Sequence, residues 1–496
     1  MQLYPLKKTR RIRPNFSKFG LLVLVLGMIL LFFLSRTPYV RIHFLGQGPQ
    51  ISPNIYFIKQ LTDFSITTPL SGDIFYTLDG SQPTTHAEKF EMEKPIQIAT
   101  SSAIRFALFQ GETQVSPTYT REIFYQTEHS IPIVSLVTEP AHLWDEKYGI
   151  YTDANANFEQ SGKDWERPAH ITFFESDAKN AKNEPSFQRD LQIRIHGGGS
   201  RQLPQKSFRL NFPENQPLRY QIFPELPVHN FSTLILRNAG ADANQAFMRD
   251  AFIHSLADQS TQLDTQASRP VAVYLNGQYW GMYYLRERQD QAYISNHYQV
   301  LEEDVHMVEV PHDVGDLRGL VIPYKGQAKN DAEQFNRLVK DFQRCDDCFD
   351  YRTFESYFDV KNFIDYLIFQ FHFSNYDWPY GNYRAWRYDT KILDSTAPYG
   401  LDGRFRFLLF DLDVGMGYGS TSSAMMKEAT KQGDYGKLVD NKFPFRAAFY
   451  DDRFLDEYLV RYADLLNTIF SPASMTSSLA TFAAGLRSEI PIHVAS

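Results

Sequence analysis

Alternation of apolar and polar residues is the dominant pattern along this chain. Short alternating runs such as 73–78, separated by turn-rich segments, predict a small β-sandwich over residues 51–126. Similar runs at 191–196 and 207–212 predict strands of a second domain that extends over 130–496. The chain contains 40 Phe and 29 Tyr, and many of them stand in such runs, which favours sheets over helical bundles.

Helical spacing interrupts this pattern in the second domain. The run 360–372 is so apolar that we expect a central helix there, whereas the charged stretch 325–360 predicts an exposed insertion with one helix. Residues 270–285 predict a β-hairpin, because Asn276-Gly277 suits a type I′ turn. Strands and helices in this order predict an α+β fold.

The N-terminus carries a basic tail, residues 1–18, followed by an uncharged apolar run that ends at residue 34. The run is near the lower length limit for a spanning helix, and we interpret 19–35 as a transmembrane signal anchor. A cleaved signal peptide is the alternative, but no small-x-small cleavage site follows the run. The excess of positive charge before the run predicts a single-pass protein of the bacterial cytoplasmic (inner) membrane, with its folded domains outside the cytoplasm.

Composition narrows the classes of partner. A net charge of -8 without a basic face outside the N-terminus argues against a nucleic-acid partner. The two cysteines, Cys345 and Cys348, are too few for a structural zinc site. In an oxidising compartment a local disulfide is favoured over a redox pair, because no thioredoxin-like βαβ context surrounds them.

Candidate chemistry concentrates between residues 377 and 413. Asp377 is followed five positions later by Asn382, and a strongly apolar strand ends at Asp411, with Asp413 behind it. Protein kinases use this order of parts, in which one carboxylate accepts the proton of the attacking hydroxyl and others hold magnesium. We predict that Asp377 is the base and that Asn382 and Asp411 are metal ligands. The alternative is chance, because Asp-x-x-x-x-Asn is a short pattern and Asp-x-Asp also caps turns.

A second candidate site lies at the end of the strand 191–196, which runs into a glycine-rich turn. Lys206 follows the turn and heads the next strand, so backbone N–H groups and a lysine are placed to contact the same phosphate oxygens. Glu287, at the end of the predicted hairpin, is placed to pair with Lys206. The alternatives are an ordinary tight hairpin and a helix cap. The other predicted nucleotide-binding residues are Gly198, Ser200 and Arg201.

Several separated blocks together resemble the CotH family, the spore-coat kinase H proteins, over most of the second domain. The blocks lie at 131–136, 194–208, 275–287, 375–382 and 409–417. The resemblance implies an atypical, two-lobed protein-kinase-like fold, ATP as phosphate donor with magnesium, and transfer to Ser or Thr of an envelope or coat protein. It also implies that Asp377 is the catalytic aspartate and Asp411 the metal-binding aspartate, with Asn382 and Asp413 as metal or phosphate neighbours.

A second resemblance concerns the first domain. The segment 75–84 is similar to the signature of the immunoglobulin-like domain at the C-termini of chitobiases and β-hexosaminidases. Such modules are accessory, so we expect a spacer, with sugar binding as the alternative. The whole chain then has two interpretations: a membrane-anchored kinase that acts on an envelope protein, or a non-catalytic envelope adhesion or scaffold protein that retains the fold.

Overall fold

The computed structural model separates the chain into two compact units, Met1–Gln126 and Thr127–Ser496. The structure describes residues 37–43, 46–176, 184–310, 320–326, 328–342, 344, 348–375, 378, 382–390, 393–394, 396–417 and 445–495.

Two predictions concern segments at or beyond these bounds. No helix in the described ranges is long and apolar enough to cross a membrane, and the run 19–35 lies outside them. Cys348 is disulfide-bonded, and the chain's other cysteine, Cys345, also lies outside the described residues.

The first unit contains two β-sheets. Its elements are α1 (Pro38–His43), β1 (Gln50–Ser52), β2 (Phe57–Ile58), β3 (Thr62–Thr67), β4 (Asp73–Thr77), β5 (Glu88–Lys89), β6 (Ile96–Ile98), β7 (Ser102–Gln110), β8 (Thr113–Gln114) and β9 (Tyr119–Tyr125). One sheet has the order β1-β3-β6 and the other β2-β9-β7-β4-β5, with β8 paired to β7. Apolar side chains of both sheets, including Phe64 and Leu108, form one buried cluster. This is the two-sheet core that the alternation predicts.

A closed barrel of seven strands opens the second unit. Its strands are β10 (Ile133–Val137), β11 (Arg167–Phe174), β12 (Phe187–His196), β13 (Ser207–Asn211), β16 (Thr233–Arg237), β17 (Ser268–Leu275) and β18 (Gln278–Glu287). Two short strands between β13 and β16, namely β14 (Leu218–Arg219) and β15 (Asn230–Phe231), form a separate two-stranded sheet. The barrel closes in the order β10-β11-β12-β13-β16-β18-β17, with β10 parallel to β17. The predicted hairpin is β17-β18, and positive φ angles at Asn276 (50°) and Gly277 (82°) make its tight turn.

Alternation along β12 and β13 separates an apolar interior from a polar exterior. On β12 the interior residues Ile193 and Ile195 are almost fully buried, and on β13 Phe208 is fully buried. Because successive side chains of a strand point to opposite faces, Arg194 and Arg209 lie on the outer face of the barrel.

The rest of the second unit packs helices against a four-stranded sheet of order β20-β19-β21-β22. Its strands are β19 (Val305–Glu309), β20 (Ile322–Pro323), β21 (Arg384–Tyr388) and β22 (Arg406–Leu408). The helices of this unit are α2 (Pro140–Trp144), α3 (Arg249–Ser260), α4 (Gln291–Tyr298), α5 (Lys329–Phe342), α6 (Tyr351–Tyr357), α7 (Val360–His372), α8 (Asp452–Asn467), α9 (Pro472–Ala484) and α10 (Ile490–Ala495).

Helix α7 lies at the centre of the larger apolar core. The side chain of Asp359 caps it by accepting from the Asn362 amide, and Phe363, Leu367 and Ile368 are fully buried. The predicted central helix over 360–372 is therefore confirmed.

The expectation of an exposed insertion over 325–360 is wrong. Phe335 and Val339 of α5, and Phe354 of α6, are fully buried in the same core as α7. The apolar residues of α5 recur at helical spacing, so one face packs inward while the charged residues occupy the other face. The α+β class is confirmed, whereas the kinase-like, two-lobed arrangement stays a prediction.

Candidate functional site

A cavity of about 1330 Å³ lies between the outer face of the barrel and the loop after β22. Its wall includes the glycine-rich turn 197–199 and the carboxylates of Glu309, Asp411 and Asp413. Six arginines also line it, namely Arg194, Arg201, Arg237, Arg286, Arg288 and Arg384. Six guanidinium groups against three carboxylates make the described lining positively charged, and the volume suits a ligand of nucleotide size.

The loop 411–413 is held from two sides. The Leu412 amide donates to Asp250 Oδ1 on α3 at 2.7 Å, and the Ala241 amide donates to Asp413 Oδ2 at 2.8 Å. Asp411 adopts a left-handed φ of 58°, which is uncommon for a residue other than glycine. These contacts place the two aspartate side chains side by side on the cavity wall.

Arg237, at the end of β16, bridges the two aspartates. Its Nη2 donates to Asp411 Oδ1 at 2.6 Å and to Asp413 Oδ2 at 2.8 Å. Burial opposes the guanidinium charge, but Asp411 and Asp250 raise the pKa of Arg237. Burial, followed by the charge of Asp411, raises the pKa of Asp413 to about 7, although Arg237 opposes this rise. One cation therefore compensates the carboxylate pair only in part.

The donor set fits a magnesium ion. Asn382 lines the cavity and is 4% exposed, yet its Oδ1 accepts no hydrogen bond from any described residue. Asp411, Asp413 and the Asn382 amide oxygen are hard oxygen donors of the kind that magnesium prefers. In the described ranges no group of three or more His, Cys, Asp or Glu side chains could by itself hold a metal ion. The predicted base, Asp377, lies outside the described residues.

The predicted turn residues Gly198, Ser200 and Arg201 do line the cavity. A left-handed φ of 110° at Gly197 starts the turn, and only glycine adopts this backbone readily. The guanidinium of Arg201 donates to the carbonyls of Phe158 (3.1 Å) and Gln160 (2.7 Å). Arg201 therefore braces the turn and contributes positive charge to the wall.

Lys206 is not among the described residues that line the cavity. Its side chain is buried, and its Nζ donates to the carbonyls of Arg201 at 2.9 Å and Leu203 at 3.2 Å. The ammonium also lies 4.2 Å from the centroid of the Phe158 ring. Lys206 therefore supports the glycine-rich turn from behind.

The expected Lys206–Glu287 pair is wrong. The Glu287 carboxylate contacts His297 Nε2 at 2.8 Å and accepts from the Ala267 amide at 3.2 Å. Leu234 of β16 pairs with Glu287 on one side and with Leu210 of β13 on the other. Leu210 lies four residues after Lys206 in the sequence. Four residues correspond to about 13 Å along a strand, so barrel register separates the two side chains.

Sequence reasoning missed the arginines of the outer barrel face. Strand register places Arg194 opposite Arg209, Arg209 opposite Ile235, and Ile235 opposite Arg286. Each arginine occupies the polar position next to buried apolar residues. The signal available in the sequence was a single arginine between apolar residues of a strand, as for Arg194 between Ile193 and Ile195.

Comparison with known proteins adds a family assignment to this geometry. A family model described as CotH kinase protein matches residues 193–495, and a model of the chitobiase/beta-hexosaminidase C-terminal domain matches 58–120. The first match covers more than half of the chain and includes the loop 411–413. No curated protein matches this chain.

Proposed function

We propose that this chain, which belongs to the CotH kinase protein family, is an atypical protein kinase that phosphorylates Ser or Thr of an envelope protein with ATP. Family membership confirms the resemblance predicted from the separated motifs. The observation that carries the proposal is the aspartate pair, Asp411 and Asp413, beside the unpartnered oxygen of Asn382 in an arginine-rich cavity. Cations and oxygen donors gathered in one cavity suit a metal–polyphosphate substrate.

The proposed reaction forms a bond between the acceptor hydroxyl oxygen and the γ-phosphorus of ATP and breaks the bond between that phosphorus and the bridging oxygen, which leaves as ADP. Asp377 accepts the hydroxyl proton. Asp411, Asn382 and Asp413 hold magnesium, which when bound neutralises charge on the phosphates. The arginines around them bind and orient the anionic substrate. Their guanidinium groups are already in position to stabilise the negative charge that develops on the phosphate oxygens during transfer.

We also propose that the protein acts from the outer side of the cytoplasmic membrane. The basic tail and the apolar run of the N-terminus support a single-pass anchor over 19–35. In that arrangement the sandwich module is a spacer that precedes the kinase domain, and ATP must be supplied outside the cytoplasm.

The decisive experiment measures transfer of labelled γ-phosphate from ATP and magnesium to envelope proteins by the full chain. Asp411→Asn removes a proposed metal ligand, so we expect transfer to fall about 10²-fold or more. Asp464→Asn, an equal change of charge on the exposed surface of α8, is the matched control and should leave transfer unchanged. Thermal unfolding of both variants checks that they fold. Full transfer by Asp411→Asn would contradict the proposal.

A scaffold without catalysis is the second candidate, and the position of Lys206 favours it, because the lysine expected at the phosphates binds backbone carbonyls. A shift in the unfolding transition separates the two. A kinase at a hundredfold excess of ATP–magnesium over its dissociation constant should gain about 2.7 kcal/mol of stability. A scaffold should gain none.

A further inference from the structure

Two arginines of the barrel face each other, and neither forms an ion pair in the part of the chain that the structure describes. Arg194 on β12 and Arg209 on β13 occupy directly opposite positions on the outer face, where like charges destabilise a sheet. Neither guanidinium forms an ion pair with a residue in the described part of the chain, and Arg209 Nε is buried without a hydrogen-bond partner there. We call these two residues the arginine pair.

Other arginines of the cavity differ in this respect. Arg237 pairs with two aspartates, Arg286 pairs with Asp250, and Arg384 Nη2 lies 2.7 Å from Glu309 Oε2. The charge of these residues is therefore compensated within the protein. The arginine pair has no such ion pair among the described residues, and Glu166 and Asp290 attract its charges only from a greater distance.

Titration of the neighbouring groups reflects this excess of positive charge. Burial and the neighbouring Arg288 lower the pKa of Arg194, and Glu166 opposes this effect. Burial, Arg288 and Arg194 lower the pKa of Arg209 to about 10, although Asp290 opposes this effect. Burial, and then the charges of Arg288 and Arg237, hold the pKa of His196 well below its usual value. His196 is therefore neutral at pH 7. The positive charges of the surrounding arginines act together at the end of β12.

We propose, on the basis of the proposed function, that the arginine pair is an anion subsite for the phosphate donor. It binds those phosphate groups of the donor whose charge a metal ion at Asp411 would not neutralise. Arg194 lines the cavity, whereas Arg209 is not among its described lining residues and stands beside Arg194 on β13, the strand adjacent to the one that carries Arg237. Neighbouring strands are about 4.8 Å apart, so a polyphosphate chain that crosses these strands reaches from the aspartates to the pair. Guanidinium groups bind phosphate oxygens in a bidentate manner.

The glycine-rich turn leaves this subsite open. A Cβ built at Gly198 or Gly199 meets no atom of a described residue within 4 Å, so these residues leave the space beside the turn unfilled. Arg201 lies at the same wall, and its guanidinium donates to neutral carbonyls. A phosphate at the pair therefore has access to a third cation and to the main chain.

The test uses the full chain with Arg194→Gln or Arg209→Gln and inorganic triphosphate as the probe. We expect the affinity for triphosphate to fall roughly 10- to 100-fold, as for the loss of a charge-assisted hydrogen bond. Without the probe, each variant should unfold at the same or a higher temperature than the parent protein, because repulsion within the pair is removed. Arg189→Gln, an exposed site on the same strand, is the matched control and should change neither quantity.

Two results would overturn the subsite. One is unchanged affinity for triphosphate combined with a lower unfolding temperature without the probe, which assigns the pair a structural role. The other is unchanged affinity for triphosphate with weakened binding of a glutamate-rich peptide, which assigns the pair to the acceptor. Failure of the proposed function gives a different result from failure of the subsite. In that case Asp411→Asn would retain phosphate transfer, while both arginine variants would still bind triphosphate more weakly than the parent protein.

Discussion

Replacement of Asp250 by Asn tests how the aspartate loop is held in place. Asp250 is 5% exposed, accepts from the Leu412 amide, and forms an ion pair with Arg286. A second guanidinium is close, because Arg237 Nε lies 3.7 Å from Asp250 Oδ2, the oxygen that also contacts Arg286. Burial opposes ionisation, yet Arg286 and Arg237 hold the pKa of Asp250 well below its usual value. This carboxylate therefore joins α3, β16 and β18 to the loop 411–413.

The expected loss of stability is about 3–5 kcal/mol, the cost of breaking a buried ion pair by removing one partner. Arg286 is 1% exposed and would lose its carboxylate partner in a buried position. Asn retains an oxygen that can accept from the Leu412 amide, so the change isolates the charge. Domains of this kind unfold with roughly 5–15 kcal/mol, so the loss is a large share of the total.

The pH dependence has a defined sign. Because the folded pKa of Asp250 lies below its unfolded value of about 3.9, its stabilisation is present above the unfolded pKa and is lost as pH falls through the folded pKa. The difference between the parent protein and Asp250→Asn should therefore stay constant at neutral pH. It should shrink below about pH 4.

Urea unfolding followed by tryptophan fluorescence measures this difference. All five tryptophans lie beyond residue 127, so the signal reports on the second unit alone. Asp258→Asn, an exposed change on the same helix, is the control and should cost less than about 0.5 kcal/mol. A loss below about 1 kcal/mol for Asp250→Asn at neutral pH, or a difference that widens in acid, would refute the reasoning.

Three further substitutions test the site and the core. Gly240→Ala should lower phosphate transfer, because a Cβ there meets the Asp413 carboxylate, whereas Gly111→Ala, with a similar φ and no such contact, should not. Lys206→Met should cost about 1.5–3 kcal/mol in urea unfolding, since the ammonium binds two carbonyls, and should leave triphosphate affinity unchanged if the role is structural. Phe363→Ala should cost about 3–5 kcal/mol in the same assay, and Phe363→Leu, which keeps more of the side-chain volume, should cost less.

Local periodicity in the sequence was sufficient for the elements themselves. Alternation identified some strands of each unit, among them β4, β12 and β13, while Asn276-Gly277 identified the turn of the β17-β18 hairpin and the apolar run identified α7. Each of these features is determined by residues that are close together in the sequence, within one or two helical turns or a few positions of a strand. The prediction of an exposed insertion at α5 was wrong, because it followed the many charged residues and not the apolar residues that recur at helical spacing.

Tertiary structure alone decided which side chains meet in the cavity. Arg237 contacts an aspartate 174 positions away, and barrel register sets Arg194 against Arg209 and keeps Glu287 from Lys206. Such pairings follow from strand order, closure of the barrel and packing of the loop 411–413 against α3. No local pattern encodes them, because they arise from the combined burial of many distant residues.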